Sequence, residues 1–393
     1  MNTSASLSAA FKPLRVIGLM SGTSMDGIDA AYMETDGEDI VRCEAAVTVP
    51  YDGAFRQRLA AFIKAAPDRG AASHEGAIET ELTDLHAAAV FHLLKAMGVT
   101  PSAVDLIGFH GQTIWHRPAR RATWQMGDGG RLADILGVPV AFDFRTADVA
   151  AGGQGAPLVP VYHAALARAQ GLPTAILNIG GVANITWVGT AGELLAFDTG
   201  PGNGLINDWV ESHNGQAMDK DGEMAAKGKA DQALVARLLE HPFFSKHPPK
   251  SLDRFEFSTA NFVGTHFAHF SPEDGAATLT AFTAAAVARA LKHCPIKPQR
   301  LLVAGGGRHN PSLMREIERA VGIPVAPVDG LGWDGDALEA QAFAYLAVRC
   351  LRGLPLTFPT TTGTPMPLTG GRLVQPAAQT RSVQATSVQA KSA

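Results

Sequence analysis

Val16-Ile17-Gly18-Leu19-Met20-Ser21-Gly22-Thr23-Ser24-Met25-Asp26-Gly27-Ile28-Asp29 reads as two apolar strands joined by a polar tip that carries glycine. Ile176-Leu177-Asn178-Ile179-Gly180-Gly181-Val182-Ala183-Asn184-Ile185-Thr186 has the same form. Glycine at a hairpin tip lets the backbone turn and brings N–H groups close to a ligand, while Ser and Thr add hydroxyl donors. That donor set suits a phosphate chain, and two such tips facing each other clamp one nucleotide. The tips lie 181 − 22 = 159 positions apart, which suggests two lobes each led by a similar hairpin unit.

The length agrees, since 393 residues exceed what one ordinary core organises, and a cleft between two lobes is expected. Apolar strand-like runs at 16–19, 30–33, 106–109 and 138–142 alternate with an amphipathic stretch at 86–97, the mark of an α/β fold. Residues 1–12 read as a flexible leader and 13–150 as the N-terminal lobe. A C-terminal lobe over 151–368 begins after Gly152-Gly153-Gln154-Gly155-Ala156-Pro157. Within it, helix signals at 161–169, 234–239, 276–291 and 312–320 surround a strand at 301–304. A last apolar helix at 337–350 has the character to pack back between the lobes. Residues 369–393, rich in Gln, Ala, Ser and Thr, read as a disordered tail.

Composition removes several function classes. Hydrophobic content of 46% with 18% charged residues is that of a globular protein, and a net charge of −4 gives no general attraction to nucleic acid or anionic lipid. Cys43, Cys294 and Cys350 have no paired spacing and read as core thiols. No apolar run is long enough for a membrane span and no signal sequence is evident, so a cytoplasmic location is expected. No segment supplies the G-x-x-x-x-G-K-[ST] loop. Gly330-Leu331-Gly332-Trp333-Asp334-Gly335 has the dinucleotide spacing but lacks the acidic residue about 20 positions on. One Asp-Thr-Gly does not make an aspartic protease, which needs two.

The chemistry-bearing residues cluster at strand ends, where open α/β sheets bind ligands. Asp198, in Phe197-Asp198-Thr199-Gly200-Pro201-Gly202-Asn203-Gly204, is placed to act as a general base on water or a sugar hydroxyl. His110, Gln112, Thr113 and Arg145 have the donors and acceptors to grip hydroxyls and a carboxylate, with Trp115 as a stacking face. Gly305, Gly306 and Gly307 leave room for a flat ring to lie on the backbone. Asn310 reads equally as a cap on the helix that starts at Pro311.

Six motifs then occur in order: Met20-Ser21-Gly22-Thr23-Ser24-Met25-Asp26-Gly27, His110-Gly111-Gln112-Thr113, Asp143-Phe144-Arg145, Gly152 through Pro160, Asn178-Ile179-Gly180-Gly181 and Asp198 through Asn203. The set closely resembles the anhydro-N-acetylmuramic acid kinase family over about residues 14–368. The resemblance implies a two-lobed actin-like ATPase (ribonuclease H-like) fold with ATP and Mg2+ in the central cleft and 1,6-anhydro-N-acetylmuramic acid deeper. The product would be N-acetylmuramic acid 6-phosphate, in peptidoglycan recycling. By that resemblance Ser21, Gly22, Thr23, Ser24, Met25, Asp26 and Gly27 form the first ATP loop, with Asp26 orienting metal-bound water. Asn178, Gly180, Gly181, Gly202 and Asn203 form the second, and Gly305, Gly306, Gly307 and Asn310 the adenosine site. Asp198 is the catalytic carboxylate, and His110, Gln112, Thr113, Arg145, Gln154 and Glu339 belong to the sugar site. The resemblance also implies small-molecule partners and a homodimer. Two alternatives stay open: a kinase of another amino sugar on the same fold, and a non-catalytic scaffold switched by ATP. One departure is visible at Pro249-Lys250-Ser251-Leu252-Asp253-Arg254-Phe255, where many members read P-K-S-T-G-R-E.

Overall fold

A computed structural model describes residues 11–66, 76–252, 256–257 and 266–377. The first glycine-bearing stretch is the expected hairpin: β1 (Leu14–Ser21) pairs antiparallel with β2 (Gly27–Thr35), from Leu14 opposite Thr35 to Met20 opposite Asp29. β3 (Val41–Pro50) extends the meander beyond β2, and β4 (Leu106–Arg117) lies parallel to β1 on the other side. β5 (Ala122–Met126) folds back on the distal half of β4, and β6 (Val140–Phe142) runs parallel to its proximal half.

The second sheet repeats this plan. β7 (Thr174–Ile179), β8 (Val182–Val188) and β9 (Leu194–Pro201) form an antiparallel meander, and β10 (Leu301–Ala304) and β11 (Val325–Pro327) add parallel strands beyond β7. Both sheets therefore read third, second, first, then two parallel strands. That order is the ribonuclease H-like topology, and its duplication makes the two-lobed actin-like ATPase fold.

Helices fill the layers around the sheets. On the outer face of the first sheet lie α1 (Gly53–Ala65), α2 (Gly76–Met97) and α3 (Gly129–Leu136), burying Phe55, Leu59, Leu82, Leu93 and Leu132 against Ile17, Leu19 and Ile107. A five-residue α4 (Thr146–Ala150) and α5 (Pro160–Ala167) carry the chain to the second sheet. Then come α6 (Gly204–Asn214), α7 (Glu223–Lys227), α8 (Gln232–Leu238), α9 (Pro272–Leu291) and α10 (Pro311–Val321). In α10, Leu313, Ile317 and Val321 recur every four residues and make the buried stripe of an amphipathic helix. The carboxylates of Asp52, Asp128 and Asp231 and the Ser271 hydroxyl accept the N–H groups that open α1, α3, α8 and α9.

The last helix, α11 (Leu338–Leu351), returns from the second sheet and packs on β1, β2 and β4. It approaches at backbone distance because Gly18 and Gly108 are register partners beneath it. A Cβ on Gly18 would overlap the Ala340 carbonyl, and one on Gly108 the Phe343 carbonyl. The core around this helix joins both sheets, taking Val16 and Leu106 from one and Ile176 and Leu302 from the other.

Two expectations need correction. The tail is ordered past 369, because Arg372–Val374 forms β12 and pairs antiparallel with Val140–Phe142. An open sheet edge presents unpaired N–H and C=O groups, and the returning chain covers them. Residues 378–393 and 1–10 lie outside the described residues, so those parts of the expected tail and leader do too. Cys43 is not a core thiol: it sits exposed on β3, with its Sγ 3.4 Å from the Tyr162 hydroxyl. Among the described residues, no helix is long and apolar enough to cross a membrane.

Candidate active site

At the first tip the backbone turns through Met25, whose φ of +55° and N–H bond to the Gly22 carbonyl (3.1 Å) close the loop. Thr23, Ser24 and Asp26 are exposed, and Ser24 Oγ donates to Asp26 Oδ1 at 2.7 Å. Ser21 and Gln112 behave differently from expectation. Both are buried; Ser21 Oγ donates to Gln112 Oε1 (2.6 Å), and Gln112 Nε2 donates to the Gly22 carbonyl (3.2 Å). Their side chains brace the tip, with Ser21 Oγ also 2.8 Å from the Tyr51 hydroxyl. Gly27 is also internal, since a Cβ there would press on the Val49 carbonyl across the sheet.

The second tip is locked to the start of α6. Asn203 N–H donates to the Gly180 carbonyl (2.7 Å), and Gly202 N–H and Gly204 N–H to that of Gly181 (3.0 and 3.2 Å). Gly202 thus serves close packing, because a Cβ on it would overlap the Gly180 oxygen. The Gly180 N–H is taken by Val182 O at 3.2 Å. Within the described residues the N–H groups of Gly22, Ser24 and Gly181 have no acceptor, which is the donor pattern a phosphate chain takes.

Beside it, Gly305 turns at φ +75° where a Cβ would meet Asn178 Oδ1, and Gly307 is buried under the Ile179 side chain. Gly306 alone in that run has open space, with Asn203 Nδ2 the nearest atom at 3.9 Å. The loop is held by Arg308, whose side chain is 3% exposed and which clasps Asp329 and Asp336, each through two bonds, and the Gly305 carbonyl. Gly335 of the dinucleotide-like motif lies against that guanidinium, so the motif wraps an arginine. Asn310 is a cap, its Oδ1 accepting from Leu313 N–H at 2.9 Å. Asn310→Ala is expected to cost about 1 kcal/mol in thermal unfolding and to leave nucleotide affinity unchanged.

Across the middle of the second sheet, Asn178, Asn184 and Asp198 are register partners and share one face. Asp198 is 8% exposed. Its N–H donates to the Lys250 carbonyl (2.9 Å) and its Oδ2 accepts from Leu252 N–H (2.7 Å). Burial raises its pKa to about 7, against the opposing pull of that N–H, Arg145 and Lys250. Leu252 contributes only a backbone N–H, which any residue except proline supplies, so the departure from threonine there leaves this bond intact. Asp253, Arg254 and Phe255 lie outside the described residues. Lys250 is itself buried, donates to the Phe243 carbonyl (3.1 Å) and sits over the Phe243 ring, and burial lowers its pKa to about 8.

Facing Asp198 is Arg145, delivered by a turn in which Asp143 adopts φ +56°. Its Nε donates to His110 Nε2 (3.0 Å) and its Nη1 to the Gly155 carbonyl (2.6 Å). Burial lowers its pKa to about 10, with Glu339, Asp148 and Asp198 opposing. His110 Nδ1 donates to the Gly111 carbonyl at 2.7 Å, so both ring nitrogens are engaged. Burial and Arg145 hold this imidazole neutral, and it positions the arginine. Glu339, in the first turn of α11, accepts from Asn178 Nδ2 at 3.3 Å and is pushed up in pKa by burial, with Arg145 opposing. Gln154 lies in the connection between α4 and α5, its Oε1 accepting from Ser251 Oγ (2.8 Å) next to the Asp198 clamp. Thr113 and Trp115 belong to the β4–β5 ribbon instead: Thr113 accepts from Gln125, and Trp115 packs edge-on to Trp124. The Lys250–Leu252 clamp, the Arg308 clasp and Asn184 were not assigned roles by the sequence. All three lie in stretches that the sequence marks: Asn184 in the second hairpin, Lys250–Leu252 in the departure at 249–255, and Arg308 between the three glycines and Asn310.

The model of the anhydro-N-acetylmuramic acid kinase family matches residues 14–375. The chain belongs to that family. An anhydro-N-acetylmuramic acid kinase of Acidiphilium cryptum is 53% identical over 364 residues, covering 92% of this chain and 99% of the relative. One of Rhodospirillum rubrum is 54% identical over 356 residues, covering 90% and 92%. Among solved structures, an activator of 2-hydroxyisocaproyl-CoA dehydratase from Clostridium difficile with bound ADPNP is 13% identical, covering 86% of this chain and 96% of that one, with a TM-score of 0.45. A ROK family glucokinase from Streptomyces griseus is 14% identical, covering 85% and 99%, with a TM-score of 0.41. As a member of the anhydro-N-acetylmuramic acid kinase family the chain is an enzyme, a kinase.

Proposed function

We propose that the protein hydrolyses the 1,6-anhydro ring of 1,6-anhydro-N-acetylmuramic acid and phosphorylates O6, turning ATP and water into ADP and N-acetylmuramic acid 6-phosphate. The observation that carries this reading is Asp198: a buried carboxylate, clamped by Leu252 N–H, with a pKa of about 7. A general base works best with a pKa near the working pH. Asp198 takes a proton from water as the water oxygen bonds the anomeric carbon. The bond from that carbon to O6 breaks, O6 bonds the γ-phosphorus, and the bond to the β-bridging oxygen breaks. Holding water, sugar and phosphate in line supplies much of the rate, and the unpaired N–H groups of Gly22, Ser24 and Gly181 suit the phosphate charge. Arg145 and Glu339 flank Asp198 as sugar contacts.

Mg2+ fits at Asp26. That carboxylate is exposed at the first tip and fixed by Ser24, and magnesium in kinases is held by one or two carboxylates with phosphates and waters. Among the described residues, no group of three His, Cys, Asp or Glu has the geometry to hold a metal unaided. Asp26 would hold the ion through water, and when bound the ion neutralises charge on the phosphates. We place the enzyme in the cytoplasm, working on small molecules in cell-wall recycling, as a pair of identical subunits.

Turnover of the anhydro sugar in ¹⁸O-water tests the coupling: label is expected at the anomeric hydroxyl of a 6-phosphorylated product, and an unlabelled product overturns it. Since Asp198 must be ionised to accept a proton, kcat/KM should rise with pH to a plateau with its midpoint near 7. A rate flat from pH 5 to 8 would assign the proton to another group.

A further inference from the structure

Asn184 forms no hydrogen bond through either end of its side-chain amide among the described residues, and its Oδ1 is buried. Its neighbours in the row are occupied: Asn178 donates to Glu339, and Asp198 accepts from Leu252 N–H. One step along β8 on the same face, Thr186 is partnered by His163 Nδ1 at 2.9 Å. Asn184 is thus the single unpaired member of a polar row that ends at the proposed base. Burying an amide oxygen without a donor costs folding free energy, and native structures keep such a group where another molecule completes it. With neither end bonded, the amide is free to turn and present either its oxygen or its NH2 group.

We propose that Asn184 binds the sugar, its amide hydrogen-bonding a hydroxyl or amide N–H of the substrate beside the carbon that water attacks. This rests on the sugar-kinase reading above. On that reading the phosphate chain takes the free N–H groups of Gly22, Ser24 and Gly181, and Asn184 sits in register between Asn178 and the proposed base Asp198.

The test compares wild type with Asn184→Ala and Asn184→Leu, using 1,6-anhydro-N-acetylmuramic acid and a non-hydrolysable ATP analogue as probes. The expected result is a rise of about tenfold or more in KM and Kd for the sugar, with analogue affinity unchanged. The melting temperature should hold or rise, because removing an unpaired buried polar group relieves a cost. Two variants matching wild type in sugar affinity and kcat would overturn the proposal. So would a fall in melting temperature accompanied by equal losses for sugar and analogue. If one variant fails to fold, the other decides. Wild type that neither binds nor turns over the sugar would remove the underlying reading, an outcome distinct from active wild type with indifferent variants.

Discussion

Asp198→Asn is expected to lower kcat by about 100-fold or more while leaving ATP affinity unchanged, the loss typical of removing a general base. The substitution is nearly isosteric and its amide oxygen still accepts from Leu252 N–H, so the clamp survives and only proton acceptance is lost. The same change carries a second signature. In the folded chain this carboxyl holds its proton up to about pH 7, whereas unfolded it releases it near 3.8. The folded state therefore binds more protons in that window, and stability falls as pH rises through it. The asparagine variant lacks this loss, so its melting temperature should exceed wild type at pH 8 and converge with it toward pH 4. Near-normal turnover together with unchanged pH-dependent melting would remove Asp198 from the role given to it.

Gly18→Val is expected to be the most damaging single change to the fold. A Cβ at Gly18 would overlap both the Ala340 carbonyl and the Ala344 nitrogen, which are backbone atoms with no rotamer to yield. Relief requires α11 to lift from β1 and β4, opening the core shared by both sheets. Overpacking costs about 1–3 kcal/mol where side chains adjust, and more where backbone must move. At roughly 2–4 °C per kcal/mol for a large domain, a loss of about 10 °C in melting temperature follows. Gly53→Ala is the control: nothing lies within 4 Å of its added Cβ, and its melting should hold. A Gly18→Val protein that melts like wild type would mean α11 does not lie where the structure has it.

The parts of this fold that were legible in the chain are those written in short stretches. Both hairpins declared themselves through apolar runs flanking glycine and small polar residues, and the α10 stripe through its four-residue spacing. β3 escaped notice because none of its residues is buried and its apolar positions are broken up by Arg42, Glu44 and Thr48, and α3 because it opens on two glycines and depends on Asp128 to start it. β12 has almost no local signal, since three residues become a strand only where the edge at Val140–Phe142 awaits them.

The site divides the same way. Asp198 was recognisable from the glycine-rich turn it precedes, but its partner Leu252 lies 54 residues on and acts through the backbone, so its side chain gives nothing away. Ser21 and Gln112 carry ligand-binding chemistry by residue type, yet they meet across parallel strands 91 residues apart and consume each other's polar atoms. His110 likewise spends both nitrogens in place. Which polar groups remain available is decided by register and packing, quantities that emerge only when distant segments close on one another.

The return of α11 to the first sheet has a mechanical consequence. The chain passes between the lobes once after β6 and again after β11. Two halves joined by a single tether swivel about any axis, whereas two tethers side by side leave free only rotation about the line through them. Any opening of the cleft is therefore expected to follow one hinge, which scattering with and without nucleotide would show as a single change of shape.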